Sequence, residues 1–139
     1  MLRHCGLAGF LAAMTTAAVA EPMPMDRAIH MDALETVCTG IGETKDDPQW
    51  KTYPVRIEFS NGGAQYLAGA TLRVSMDRTM VAEMDCPGAW VLLKGPSGKY
   101  RVSATIDGSQ AKPASARFVM GSGAQKRVVL RFREFRINN

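Results

Sequence analysis

Polar and apolar residues alternate strictly along residues 98–106. Tyr100, Val102, Ala104 and Ile106 fall on one parity, and Lys99, Arg101, Ser103 and Thr105 on the other. A period of two predicts a strand with one dry face and one wet face. The same pattern recurs elsewhere. Tyr53, Val55, Ile57 and Phe59 alternate with Pro54, Arg56 and Glu58, and Leu72, Val74 and Met76 with Thr71, Arg73 and Ser75. Val128, Leu130 and Phe132 alternate with Arg127, Val129, Arg131 and Arg133. A further strand is predicted over 79–84. Residues 89–94 are apolar on both parities, which predicts a strand covered on both sides. Pro113 confines 116–120 to a sheet edge. Turn chemistry separates these runs at Asn61-Gly62-Gly63, Asp77-Arg78, Pro96-Ser97-Gly98, Asp107-Gly108 and Gly121-Ser122-Gly123. Seven short strands at near-regular spacing predict an all-β, seven-stranded antiparallel β-sandwich. Trp90, Leu92, Tyr100, Val102, Val55, Ile57, Leu130 and Phe132 are expected to join its two sheets.

The start of the chain has a different texture. Arg3 precedes an almost wholly apolar or small run from Leu7 to Val19, and Ala18-Val19-Ala20 has the small-x-small pattern of a cleavage site. Residues 1–20 therefore read as a secretory signal cleaved after Ala20, with an apolar run too short to span a bilayer comfortably. Residues 21–49 read as a leader and Gly-rich loop, with a short helix suggested by Ile29, Leu34 and Val37. Residues 50–136 read as the sandwich domain. Cys5 leaves with the signal, so Cys38 and Cys86 remain. In an exported chain, periplasmic or secreted, such a pair most simply forms a disulfide. A two-thiolate metal site is the alternative, although the spacing lacks the Cys-x-x-Cys clustering such sites favour.

One segment carries a resemblance. Trp90-Val91-Leu92-Leu93-Lys94, followed by Pro96-x-Gly98-x-Tyr100-x-Val102-x-Ala104 and then Gly108, resembles the signature of carboxypeptidase-regulatory-like domains, which are transthyretin-like (prealbumin-like) seven-strand sandwiches. Cys38-Thr39-Gly40-Ile41-Gly42 and the basic Leu130-Arg131-Phe132 are similar to segments of small exported single-domain proteins of Gram-negative bacteria. The resemblance spans residues 37–135 and implies a Greek-key sandwich. It implies no peptidase activity, because the zinc of the peptidases belongs to a neighbouring domain absent from this sequence.

Candidate chemistry is sparse. His30 is the single histidine after the signal, there is no Gly-x-Ser-x-Gly elbow, and the adjacent Asp46 and Asp47 sit in a polar run. No catalytic residue is assigned, and the protein is read as a non-enzyme. Met23, Met25, His30 and Met31 bring thioether and imidazole together near the start of the mature chain, a donor set suited to Cu(I). They make a periplasmic copper or small-ligand binder the alternative function. The net charge is +4. Arg56, Arg73, Arg101, Arg127, Arg131 and Arg133 all fall on the polar parity of their strands. If those strands are neighbours they form a positive face for an acidic partner, such as an anionic envelope polymer, lipid head groups or an acidic envelope protein. A solvated protective face is the plainer reading. Nucleic acid is not expected, since no aromatic residues interleave with these cations. The function expected is a binding or scaffolding module for another envelope component.

Overall fold

The structure is a computed structural model that describes residues 22–63 and 65–133, together with Gly9, Ala12 and Ala13. The signal-segment expectation otherwise falls outside the described residues, as does the end of the expected domain at 134–136.

The described residues form nine strands: β1 (Ala28–Met31), β2 (Leu34–Thr39), β3 (Val55–Ser60), β4 (Ala70–Met76), β5 (Thr79–Cys86), β6 (Trp90–Lys94), β7 (Gly98–Ile106), β8 (Ala114–Met120) and β9 (Lys126–Arg131). They make two packed sheets, one ordered β1-β2-β6-β3-β9 and the other β5-β4-β7-β8. The fold is thus an all-β sandwich, with all seven expected strands in place.

Two expectations are corrected. The count is nine, because the residues read as a leader with a short helix are the hairpin β1–β2, with Ile29 opposite Thr36 and Met31 opposite Leu34. Ile29, Leu34 and Val37 do not lie on one helical face. Ile29 and Leu34 point into the core, while Val37 points out of the sandwich. The sandwich therefore begins well before residue 50. The second correction concerns direction. β3 and β9 run parallel, with Ile57 opposite Val128 and Phe59 opposite Leu130; the other strand pairs are antiparallel.

The core lies between the sheets. Val55, Ile57, Phe59, Val91, Leu93, Leu130 and Phe132 meet Leu72, Val74, Met84, Val102 and Met120 there. β6, the central strand of its sheet, buries Val91, Leu92 and Leu93 completely. Leu92 does so on the outer face. A short 3-10 turn (Pro48–Thr52) follows another (Glu43–Asp46), and together they lay Trp50 and Tyr53 over Val37 and Leu92. Asp47 accepts from the Gln49 amide at 3.1 Å, Trp50 Nε1 donates to the Thr44 carbonyl at 2.7 Å, and Gln125 donates to the Trp50 and Tyr53 carbonyls at 2.8 and 3.1 Å. Tyr53 donates to Glu35 at 3.2 Å. Burial first, then the Glu35 charge, pushes its phenol up to about 12. Trp90 was expected in the core and is instead half-buried on this outer face, with the Arg56 guanidinium stacked 4.4 Å from its ring centroid.

Cys38 on β2 is bonded to Cys86 on β5, so the disulfide joins one sheet to the other. Both cysteines are fully buried. The Gly88 amide donates to Cys38 Sγ at 3.2 Å, and a Cβ at Gly88 would overlap the Thr39 carbonyl oxygen. Only glycine leaves room there for the backbone to pass beside the bridge.

Candidate functional site on the four-stranded sheet

Directly opposed residues of an antiparallel pair share a sheet face, so the pairing register reads out the outward surface of β5-β4-β7-β8 row by row. One row runs Asp85, Thr71, Thr105; the next Glu83, Arg73, Ser103, Ser115; the next Met80, Ser75, Arg101, Arg117; the last contains Lys99 and Val119. Acidic groups gather at one end and cations at the other, with small hydroxyl side chains between them.

The basic end is an open depression of about 490 Å³ whose lining includes Ser75, Arg78, Lys99, Arg101, Arg117 and Val119, with Asp77 as its one carboxylate. Three local rules are broken there together. First, Arg101 stands directly opposite Arg117, and like charges across a strand pair repel. Among the described residues no carboxylate pairs with Arg78, Lys99, Arg101 or Arg117. Arg101 donates only to the Ser115 hydroxyl, at 3.4 Å. Second, Asp77 and Arg78 form a two-residue hairpin turn with φ of 47° and 68°. A turn of this kind matches the strand twist but calls for Asn and Gly, so Arg78 holds a left-handed backbone that glycine would adopt freely. Third, Met80 and Val119 are 55% and 51% exposed. Sites where several local preferences fail at once are expected to be functional.

The acidic end behaves differently. Asp85 is pushed up from 3.8 to about 6, chiefly by hydrogen bonding with Asp107, then by burial and the Asp107 charge. Asp107 also accepts from Thr71 Oγ1 at 2.7 Å. A carboxyl whose folded value is raised binds its proton more tightly in the fold, so its stabilisation is complete below about pH 4 and is lost as pH rises through about 6. The melting temperature of the wild type, relative to an Asp107→Asn variant, should therefore fall between about pH 4 and pH 7. Parallel melting curves across this range would contradict the shared proton.

The six arginines expected to form one positive wall are divided. Arg73 and Arg101 belong to the four-stranded sheet, and Arg56, Arg127 and Arg131 to the five-stranded sheet, while Arg133 lies beyond β9. Two of the second group share a single carboxylate. Glu58 is 1% exposed and takes an ion pair from Arg127 Nε, with Arg56 3.8 Å away. Arg127 also donates to the Tyr66 hydroxyl at 2.8 Å. Arg73 faces Glu83 at 3.7 Å. Alternation shows which arginines point outward but not which carboxylate waits on the next strand. Arg78, Lys99 and Arg117 were missed for a related reason. Only the β7–β8 register and the Asp77-Arg78 turn bring them beside Arg101.

The Met and His set is not brought together. Met23 is buried in the core, and Met25 Sδ lies 3.5 Å from Cys38 Sγ. His30 is exposed and its neighbour Met31 packs inward, on the opposite face of β1. Among the described residues no group of three or more His, Cys, Asp or Glu side chains is placed to hold a metal ion. No helix among them is long and apolar enough to cross a membrane.

The chain matches no family model, no curated protein and no solved structure.

Proposed function

We propose that this protein is a non-enzymatic, exported binding module of the cell envelope, and that it engages an acidic component through the basic end of its four-stranded sheet. The observation that carries this reading is the Arg101–Arg117 pair. Two exposed guanidinium groups are held opposite one another, and among the described residues no carboxylate lies within ion-pair distance of either, although Asp77 lines the same depression. A protective surface needs dispersed charge; it does not need four cations around one depression. The disulfide fits an extracytoplasmic location. The resemblance of residues 90–108 to carboxypeptidase-regulatory-like domains supports a transthyretin-like module that scaffolds or binds.

The test compares three immobilised proteins in envelope extract at low and high salt: wild type, an Arg101→Gln/Arg117→Gln double variant, and Arg131→Gln on the other sheet. Wild type and Arg131→Gln should retain an acidic component at low salt and release it at high salt. The double variant should retain little of it. Equal retention by all three would dismiss the basic depression as the binding surface.

A further inference from the structure

We propose that the component recognised is the phosphate headgroup of an anionic lipid, so that the four-stranded sheet lies against a membrane surface. This rests on the reading of the basic depression given above and specifies its ligand.

The arginine pair suits phosphate. Opposed residues on neighbouring strands place their side chains about 5 Å apart at the Cβ. Two guanidinium forks at that spacing reach different oxygens of a single phosphate group, and planar, weakly hydrated guanidinium favours that geometry. The Ser115 hydroxyl, bonded to Arg101, steadies one fork. Lys99, two residues before Arg101 on the same face, and Arg78 on the hairpin turn add mobile positive charge at the rim.

The apolar residues separate a lipid from a soluble phosphate. Met80 lies at the β5 end of the row that contains Arg101 and Arg117, and Val119 lies on β8 beside Lys99. Both are more than half exposed. A free phosphate or a hydrated polyanion gains nothing from two apolar tips flanking the cations. A bilayer interface does, since cations meet headgroups while apolar side chains enter the acyl boundary. Between the cations and the acidic end with Glu83 and Asp85, the same face carries the small hydroxyl side chains Ser75, Ser103 and Ser115 beside Arg73.

The experiment is co-flotation with vesicles of phosphatidylglycerol and phosphatidylcholine, against phosphatidylcholine alone. Beside it, amide spectra are recorded during titration with inorganic phosphate and glycerol phosphate. Wild type should float with the anionic vesicles at low salt only. Each of Arg101→Gln and Arg117→Gln should weaken binding on the order of 5-fold, the effect of one cation at a charged surface. Arg131→Gln, with the same charge change on the opposite sheet, should not. Met80→Ser/Val119→Ser should weaken flotation several-fold yet leave the phosphate-induced shifts unchanged. Arg78→Gly should raise the melting temperature while weakening flotation, and opposite signs in one variant exclude unfolding as the cause. The proposal is overturned if anionic vesicles do not bind, if Arg131→Gln matters as much as Arg101→Gln, or if removing both apolar tips changes nothing. Should vesicles fail while an acidic envelope component is still held through Arg101 and Arg117, the binding module stands and only the lipid assignment falls.

Discussion

Removing the disulfide by Cys38→Ala/Cys86→Ala should destabilise the protein by about 4 kcal/mol, roughly half the margin of a small domain. The cysteines are 48 residues apart, and their bond closes a loop that includes both 3-10 turns, β3, β4 and β5. Without it the unfolded chain regains the freedom of that loop. The native state also loses the disulfide that ties β2 to β5 across the two sheets, which stay joined by the chain's crossovers and by packing. Denaturant unfolding of the double variant, compared with oxidised and reduced wild type, measures the effect. Reduction should reproduce most of the loss. A midpoint that barely moves would mean the sandwich draws little stability from the bridge.

Tyr100→Ala should cost about 3–5 kcal/mol, the usual range for emptying a large aromatic site in a core. Tyr100 is 3% exposed and lies directly opposite Phe118, with the rings stacked at 5.5 Å and 8°. Its hydroxyl donates to the Pro96 carbonyl at 2.7 Å, tying the turn before β7 to the core end of that strand. Burial raises the phenol above its ordinary value. Tyr100→Phe isolates the hydroxyl and should lose about 1 kcal/mol. Thermal and denaturant unfolding of the two variants separate ring from hydroxyl. Equal losses would place the stabilisation in the hydrogen bond to Pro96, contrary to the packing described here.

Much of the architecture is written in period-two alternation. β3, β4, β7 and β9 each put one parity in the core and the other outside, so their patterns hold a one-face signal strong enough to read. β6 is also legible, because a central strand covered on both sides has nothing polar to alternate with. β1 and β2 are not. Residues 34–39 bury Thr36 and Thr39 beside Val37 and Cys38, which blurs any alternation. The parallel pairing of β3 with β9 depends on strands far apart in sequence and leaves no local mark. Trp90 misled because its large apolar area suggests a core, whereas its ring is a platform for Arg56. The candidate site was half legible. Arg101 stood out on its parity, but its relation to Arg117 exists only through register.

The parallel neighbour of β3 has one more consequence. A hairpin cannot lay down such a pair, so the outer edge of β3 stays bare until β9 arrives, after β4 through β8 have been made. Throughout that interval the unfinished sheet shows open backbone donors and acceptors to any other extended chain. Any state of this molecule in which β9 has not docked therefore leaves that edge open to an extended segment of another copy.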